Sequence, residues 1–350
     1  MIASLEGLRG MAALFVILHH MFCASPHAPF ANAYLAVDLF FVLSGFVICR
    51  ACGAQLSSLA SLRTFMIRRI GRLWPTHIAT TLLALVVARH VPSLGEALAL
   101  ATMSQGLSLF QAGIGNPVSW SAGDELYVYL LFGAICLLLL RGPARIALGA
   151  ALAMTAYVFA VRIEVDHACL LQGGCFSSLV HKYGWLRCIA GFFLGTVIYE
   201  FQDRVVTLTN SSTFQVMAFS AAFFLLTFAD ALPGSALAAP LVFAALIGSL
   251  IRDRGPIARI FQTRPAQYLG KISYPLYLGH GVLLLQIAMA TAGTDLSARV
   301  VPYALFLFWS FGIAHLLHKY IEVPFRDRFN RWSRATPRST AAYAPMKEPQ

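Results

Sequence analysis

Apolar residues occur along the chain in ten long runs, which short polar stretches separate. A helix needs about 20 apolar residues to cross a bilayer. The pattern therefore predicts an all-α fold, a polytopic membrane protein built as a bundle of about ten transmembrane helices. The predicted spans are residues 8–24, 34–52, 75–91, 124–140, 145–162, 185–201, 214–231, 236–251, 274–292 and 299–318.

Two further stretches differ from these runs. Residues 97–112 are a doubtful eleventh span, because their glutamines and serines favour a half-inserted or surface-lying segment. Residues 325–350 are polar, basic and proline-containing, which predicts a cytoplasmic tail that is disordered or bound to the membrane surface. The expected organisation is a transmembrane domain over residues 1–324 followed by this tail.

Composition and charge agree with membrane insertion. The chain is 58% hydrophobic and only 12% charged, whereas soluble domains carry about 25% charged residues. With the N-terminus placed inside, 21 of the 26 Lys and Arg residues fall on one side of the predicted topology. Short cytoplasmic loops retain positive charge, so we expect both termini in the cytoplasm. The net charge of +11 then reflects this asymmetry and contact with anionic membrane lipid, and no nucleic-acid partner is expected.

The first span carries two ionisable residues, Arg9 and His20. Eleven helical steps bring His20 back to within roughly 20° of the face of Arg9, about 16 Å away, and turn His19 to a different surface. Ionisable residues inside a membrane segment are costly and usually mark a functional pathway. We interpret His20 as functional, and the alternative is an interfacial histidine bonded to a carbonyl or to water.

The second span opens with Asp38, and Ser44 lies deeper in it. A buried carboxylate needs a partner, and a histidine of the first span is the expected one. Such a carboxylate fixes the tautomer of the imidazole and raises its basicity, as a general base requires. The alternative is that Asp38 only caps the start of its helix.

The loop before the third span contains FMIRRIGRLWP, in which Arg69 and Arg72 are three residues apart and Pro75 sets the entry to the span. At helical spacing both guanidinium groups project to one side, and paired arginines bind phosphate. Cytoplasmic loops are rich in arginine in any case. The charge pattern alone therefore leaves phosphate binding open.

The fourth span begins with Asp124 and Glu125 beside Trp120. These carboxylates either cap the helix N-terminus or take part in binding or acid–base chemistry. After the last span, Glu322 precedes Pro324, and we expect Glu322 to pair with a nearby arginine.

The ninth span opens with Ser273 and Tyr274, followed by Tyr277 and His280. Positions 273, 277 and 280 share one helical face. Such a polar stripe can bond either a ligand or another helix.

Cys169 and Cys175 lie in the segment 163–184, which the topology places outside. In an oxidising compartment their six-residue separation permits a loop-closing disulfide, and the sequence leaves open whether it forms. The other five cysteines lie within or near spans, where a thiol is most often a small packing residue.

These segments, taken in order, resemble the membrane-bound acyltransferase family 3 over nearly the whole chain. LEGLRGMAALFVILHH is similar to the start of that family, in which an arginine precedes a histidine by eleven positions, here Arg9 and His20. The segments that follow in the family's order are VDLFFVLSGFVI, RRIGRLWP, NPVSWSAGDELYVY, LGKISYPLYLGH and YIEVPFRD. The chain departs from the family's WSLS-V-E-E motif, since Glu125 takes the place of the first glutamate and Leu126 that of the second. Only Glu125 is therefore carried over.

The resemblance implies an integral membrane O-acetyltransferase of the bacterial cytoplasmic (inner) membrane. It implies transfer of an acyl group, most often acetyl, from cytoplasmic acetyl-CoA or another acyl-CoA to a hydroxyl of a cell-surface or exported polysaccharide, or of its lipid-linked precursor. No metal is expected. The expected catalytic residues are His20, Arg9, Asp38 and Glu125, and the expected acyl-CoA-binding residues are Arg69, Arg72, Ser273 and Tyr274.

In this hypothesis His20 takes the proton of the acceptor hydroxyl as the hydroxyl attacks the thioester. The paired arginines hold the phosphates of CoA, and Ser273, Tyr274 or Arg9 donates to the oxygen that becomes negative. A covalent acyl-histidine relay is the open variant of this mechanism.

The alternative from another class is a transporter or flippase for a sugar-lipid or small metabolite. In that case the same His, Asp and Arg side chains would form a proton relay. A transporter would need a path through the membrane but no CoA site. Internal repeats are common in transporters, and the sequence shows no evident one. This favours the enzyme.

The charge asymmetry makes a prediction about sidedness. In intact cells, an impermeant thiol reagent should modify a cysteine introduced at Ser178 and leave one introduced at Ser61 unmodified, because only the first lies outside. Labelling is measured by mass shift after cell washing. Modification of the residue-61 cysteine from outside would overturn the topology.

Overall fold

The computed structural model describes residues 2–22, 30–109, 114–139, 142–166, 183–232, 234–295 and 297–335. Over these ranges the regular elements are helices, which confirms the all-α prediction. Short 3₁₀ turns lie at Ala33–Leu35, Ser104–Gly106, Pro117–Ser119, Ala229–Ala231 and Ser235–Ala238, and a π-helical turn covers His318–Glu322. The α-helices are α1 (Ala3–Phe22), α2 (Ala36–Cys52), α3 (Leu59–Ala88), α4 (Leu94–Thr102), α5 (Trp120–Leu138), α6 (Pro143–Asp166), α7 (Gly184–Glu200), α8 (Gln202–Thr209), α9 (Ser212–Phe228), α10 (Ala239–Leu250), α11 (Pro256–Phe261), α12 (Arg264–Gly281), α13 (Leu284–Thr291), α14 (Val300–Leu317) and α15 (Val323–Ala335).

In the described part of the chain, six helical stretches are long and apolar enough to cross a membrane, or up to eight if each of two bent pairs is one span. The bent pairs are α8 with α9, at 97°, and α12 with α13, at 56°. The predicted spans 185–201 and 236–251 fall on α7 and α10, which have 17 and 12 residues. Both helices are shorter than the roughly 20 residues that cross a bilayer. Over the described ranges the structure thus gives six to eight full-length spans, where the sequence predicted about ten.

The doubtful segment 97–112 does not form a spanning helix over its described residues. Helix α4 has nine residues and ends at Met103, whose φ of 60° is in the left-handed region that commonly terminates helices. The 3₁₀ turn that follows is held by Gln105, whose buried amide donates to the carbonyl oxygen of Ser119 over 3.1 Å. The segment therefore packs against the start of α5 instead of crossing the bundle.

Helix α3 begins earlier than predicted. Ser58 and Ser61 form a reciprocal capping box at its start, which satisfies backbone amides that the first turn leaves open. Arg69 and Arg72 therefore lie inside a 30-residue helix and not in a loop before Pro75.

Helix α15 occupies part of the segment 325–350, which was predicted to be disordered or bound to the membrane surface. It packs on α3, because a Cβ on Gly71 would lie only 2.2 Å from the side chain of Phe329, and because Arg68 Nε donates to Ser333 Oγ over 3.0 Å. Residues 336–350 lie outside the described residues, as do Cys169 and Cys175.

Helices α1 and α12 approach each other at two glycines. A Cβ on Gly10 would lie 2.4 Å from the backbone nitrogen of Gly270, and a Cβ on Gly270 would lie 2.3 Å from the carbonyl oxygen of Glu6. Small residues at such crossings let helix backbones pack closely inside membranes. The crossing places one face of α1, the face of Arg9 and His20, directly against α12.

The start of α1 is capped by a residue from a distant loop. The carboxylate of Asp253 accepts hydrogen bonds from the backbone N–H groups of Ala3, over 3.1 Å, and Ser4, over 2.7 Å. Partial burial opposes ionisation of Asp253, but hydrogen bonds from Ser4 and its neighbours outweigh it, and the pKa of Asp253 is lowered. An anion at a helix N-terminus also interacts favourably with the helix dipole. This cap fixes the depth of α1 in the bundle.

Helices α2 and α7 form a second close crossing. A Cβ on Gly45 would lie 1.8 Å from the carbonyl oxygen of Phe192, and a Cβ on Gly195 would lie 2.0 Å from that of Val42. The contacted atoms belong to the backbone and cannot rotate away. This crossing holds α2 in the centre of the bundle.

The α1–α12 crossing generates a stability prediction. We expect Gly10→Ala to lower the free energy of unfolding by about 1–3 kcal/mol, because the added methyl group meets backbone atoms and forces the helices apart. Thermal unfolding of the detergent-purified protein measures the change.

The matched control is Gly312→Ala in α14, since nothing lies within 4 Å of a Cβ built at Gly312. This change should leave stability unaltered or raise it, because alanine favours a helix more than glycine does. Equal thermal stability of the two variants would contradict the close crossing.

Candidate functional site

A cavity of about 730 Å³ lies among α1, α2, α3, α5, α12 and the π-helical turn. It follows α2 from Val37 to Arg50, a length of about 20 Å at about 1.5 Å per residue. Six of the eight residues proposed from the sequence line this cavity: Arg9, Arg69, Arg72, Glu125, Ser273 and Tyr274. His20 and Asp38 are not among the lining residues.

Arg9 is held by three contacts to its surroundings. Its Nη2 donates to Glu6 Oε1 over 2.5 Å and to the carbonyl oxygen of Gly270 over 3.2 Å, and its Nε donates to Ser273 Oγ over 3.1 Å. The Ser273 hydroxyl in turn donates to the carbonyl oxygen of Gly270 over 2.9 Å. Arg9 is thus paired with a carboxylate and fixed against α12. The hydroxyl proton of Ser273 is engaged in its hydrogen bond to Gly270.

Arg69 and Arg72 differ from Arg9 because neither makes a hydrogen bond to the described part of the chain. Both guanidinium groups line the cavity, and Arg69 lies over the ring of Phe65, 5.7 Å from its centroid. The Nε of Arg69 is buried without a partner, although buried donors are nearly always hydrogen-bonded. Two guanidinium groups with unused donors in one cavity are suited to bind an anion such as a phosphate.

Glu125 links α2 to α5. Ser44 Oγ donates to Glu125 Oε1 over 2.5 Å, and the hydroxyl of Tyr129 donates to the same oxygen. The carboxylate therefore faces the cavity with hydroxyl groups bound to it. Among the described residues no cation lies within ion-pair distance of it, and Arg9 and Arg72 interact with it at longer range. Tyr274, on the opposite wall, donates its hydroxyl proton to the carbonyl oxygen of Leu73 over 2.7 Å, which ties α12 to α3 next to Arg72.

The π-helical turn places a His–Glu pair in the cavity wall. His318 Nδ1 and Glu322 Oε2 are 2.6 Å apart, and Glu322 is 1% exposed. The hydrogen-bonded partner of Glu322 is His318, four residues earlier, and not the arginine that was predicted. A nearby arginine, Arg72, interacts with Glu322 only at longer range.

His20 faces α12, as its spacing from Arg9 predicts. Its Nδ1 lies 2.9 Å from the carbonyl oxygen of Val16 and 3.3 Å from His280 Nε2. His19 turns to another surface, where its Nδ1 lies 2.7 Å from the carbonyl oxygen of Ala31. The two neighbouring histidines thus have different environments, and only His20 joins the polar stripe of α12.

Two aromatic side chains lie where the cavity approaches the histidine pair. Phe40 and Tyr277 both line the cavity, and their ring centroids are 5.9 Å apart. The hydroxyl of Tyr277 is hydrogen-bonded to Ser121 Oγ over 2.8 Å, and its ring lies 5.8 Å from that of His280. This end of the cavity therefore adjoins His280 and, through it, His20.

The predicted pairing of Asp38 with a histidine is wrong. Asp38 accepts two hydrogen bonds from Arg187 of α7, Nε to Oδ1 over 3.1 Å and Nη2 to Oδ2 over 2.6 Å. Both side chains are only 2% exposed. A buried carboxylate is stabilised far better by a cationic fork than by a neutral imidazole, so Asp38 connects α2 to α7 and does not orient His20.

Arg187, Tyr129 and His318 also lie at or beside the site and were not predicted from the sequence. Arg187 lies 149 positions from its partner Asp38, and no local pattern indicates that contact. Tyr129 and His318 each lie four residues from a glutamate, and this helical spacing was a usable signal. Among the described residues, no group of three His, Cys, Asp or Glu side chains is arranged to hold a metal ion.

Comparison with known proteins gives the family of this arrangement. The model of a family described as "Acyltransferase domain" matches residues 2–319. The peptidoglycan O-acetyltransferase OatA of Listeria monocytogenes is 23% identical over 366 aligned positions, which cover 93% of this chain and 56% of that protein.

A second relative, named protein 2 in picA locus, comes from Rhizobium radiobacter. It is 42% identical over 88 residues, which cover 25% of this chain and 44% of that protein. The chain thus spans about half the length of these curated relatives. No solved structure matches it.

Proposed function

The chain belongs to the acyltransferase-domain family, and from this premise we propose that it is a membrane O-acetyltransferase. It moves an acetyl group from acetyl-CoA to a hydroxyl of a cell-surface or exported polysaccharide, or of its lipid-linked precursor. The observation that carries the proposal is the cavity in which Arg69 and Arg72 keep unused hydrogen-bond donors. The name of the Listeria relative, a peptidoglycan O-acetyltransferase, supports a carbohydrate acceptor.

The donor occupies the cavity along α2 in this proposal. Arg69 and Arg72 bind phosphates of CoA, and the other basic residues at the same end, Arg50, Lys271 and Arg326, add positive charge. The pantetheine arm is thin and largely uncharged, so it fits the part of the cavity that runs past Ser44 and Phe40 toward Tyr277. The thioester then lies at the end of the cavity that adjoins the histidines.

His20 acts as the general base. Its ring takes the proton of the acceptor hydroxyl while the hydroxyl oxygen attacks the thioester carbonyl carbon. The carbon–sulfur bond then breaks, the ester is formed and CoA leaves as the thiolate, which takes up a proton. A side chain at this end of the cavity, such as Tyr277, must rotate before the thioester meets His20, because neither His20 nor His280 lines the cavity.

The donor to the developing oxyanion is reassigned by the geometry. Arg9 lies eleven residues, about 16 Å, from His20 along α1, too far to contact the same carbonyl oxygen. The hydroxyls of Ser273 and Tyr274 already donate to backbone carbonyls. Tyr277 and Ser121 share one hydrogen bond, so one of their two protons remains to stabilise the oxyanion.

The orientation follows the charge asymmetry of the sequence. The protein lies in a bacterial inner membrane with both termini in the cytoplasm. The end of the cavity that holds Arg69 and Arg72 faces the cytoplasm. Acetyl-CoA is then bound from the cytoplasm and the acceptor from the other side. The experiment that tests the function is transfer of radiolabelled acetyl from acetyl-CoA to soluble peptidoglycan fragments or exopolysaccharide oligosaccharides by the purified protein in liposomes.

The paired arginines generate a kinetic prediction. Arg69→Ala or Arg72→Ala should raise the KM for acetyl-CoA about 10- to 100-fold, because a hydrogen bond to a charged group contributes about 1.5–3 kcal/mol. Lysine should rescue only partly, since a point charge replaces a planar fork. The KM of the acceptor should change less, and both constants come from initial rates of acetyl transfer.

The control is Arg63→Ala, because Arg63 is an exposed residue of the same helix that does not line the cavity. Donors without the terminal 3′-phosphate, or truncated to pantetheine, should bind less well than CoA itself. The phosphate assignment is wrong if they bind wild-type protein as well as intact acetyl-CoA does.

The general base generates a second kinetic prediction. His20→Ala should lower the rate of acetyl transfer about 10²- to 10⁴-fold, the usual contribution of a general base. The variant should still insert into the membrane and accumulate. His19→Ala is the matched control and should be mild, because His19 bonds to Ala31 on another surface. Equal losses of activity in the two variants would contradict the assignment.

A further inference from the structure

His280 is one of the buried titratable residues that the proposed mechanism leaves without a role. It is fully buried on α12, and its ring packs against those of His20, Tyr277 and Phe306 at centroid distances of 5.1, 5.8 and 6.5 Å. Its Nε2 lies 3.3 Å from His20 Nδ1. A direct contact between two imidazoles is costly to bury unless their hydrogen bonds are mutually satisfied.

The hydrogen-bond partners determine which nitrogen of each ring carries the proton. His280 Nδ1 faces the carbonyl oxygen of Leu276 at 3.2 Å, and His20 Nδ1 faces that of Val16 at 2.9 Å. A carbonyl oxygen only accepts, so both Nδ1 atoms must be N–H donors. In two neutral rings both Nε2 atoms are then unprotonated, and the His280 Nε2 lone pair points at His20 Nδ1–H.

We infer that His280 is the positioning residue of His20, in the role that the sequence analysis gave to Asp38. This inference rests on the proposed function in one respect, namely that His20 is the base. The shared Nδ1–H holds the ring of His20 in the tautomer whose Nε2 is basic. The carbonyl oxygen of Val16 and the Nε2 of His280 both accept from this N–H. They thereby fix the tautomer of His20, as a carboxylate does for the histidine of other sites.

The arrangement also stabilises the charged form of His20. When Nε2 takes the proton of the acceptor hydroxyl, the positive charge spreads to Nδ1–H, which is in contact with the His280 lone pair. His19, whose ring lies 5.0 Å from that of His20, bonds to Ala31 instead. A neutral acceptor places no permanent charge beside the base, which lowers the cost of burying the pair in a membrane.

The kinetic test uses His280→Phe and His280→Gln with acetyl-CoA and soluble peptidoglycan fragments. Phenylalanine keeps the ring but removes the acceptor, and kcat should fall about 10- to 100-fold, as for other groups that orient a functional histidine. The KM for acetyl-CoA should stay unchanged, because the cavity does not include His280. Glutamine offers an amide oxygen to Nδ1–H and should recover a large part of kcat.

His19→Phe is the control, since it removes a histidine of the same cluster without touching the His20–His280 contact. An unchanged kcat in His280→Phe, or a kcat for His280→Gln as low as that for His280→Phe, would overturn the inference. So would a loss that appears in KM alone.

A second measurement does not depend on activity. ¹⁵N NMR of the wild-type protein, labelled at histidine, reports which ring nitrogen is protonated, and the signals are assigned by their loss in His280→Gln and His20→Ala. Both residues should show protonated Nδ1 and unprotonated Nε2. A protonated Nε2 on neutral His280 would overturn the inference. Full acetyl transfer by His20→Ala would instead overturn the proposed function and leave the measured tautomers standing.

Discussion

The close crossing of α1 and α12 is the constraint on which the site depends. Gly10 and Gly270 leave no room for a side chain between the two backbones, so any polar group on the facing surfaces must find its partner across that contact. Arg9 donates hydrogen bonds to Ser273 and Gly270. His20, eleven residues after Arg9 on α1, contacts His280. The two helices thereby align one polar row, and α2 completes the wall of the cavity beside it.

Charge pairing explains most of the remaining polar groups. In a medium of low dielectric constant an unpaired charge is costly, and the structure pairs Arg9 with Glu6, Asp38 with Arg187 and Glu322 with His318. Against this background two features stand out among the described residues. Arg69 and Arg72 keep unused hydrogen-bond donors in the cavity, and the two carboxylate oxygens of the buried Asp124 have no hydrogen-bond partner. Under the proposed function, a phosphate of the substrate binds the donors of Arg69 and Arg72.

Periodicity predicted the parts of this picture that lie within one helix. The shared face of Arg9 and His20, the different face of His19 and the common side of Arg69 and Arg72 all follow from 3.6 residues per turn. Contacts between helices distant in sequence did not follow. Asp38 was paired with the nearest plausible histidine, whereas the fold brings in Arg187 from α7, and hydropathy could not distinguish a short buried helix such as α7 from a full span.

The aromatic rings of Phe40 and Tyr277 have a consequence for the energetics of the cell. A water-filled passage along α2 that reached both faces of the membrane would let ions run down the membrane potential, which is worth about 2.3 kcal/mol per charge at 100 mV. The two rings pack edge to face, with their centroids 5.9 Å apart, at the end of the cavity that adjoins His280. Their contact leaves little room for water or ions at this point and therefore limits electrical leakage through the helix bundle.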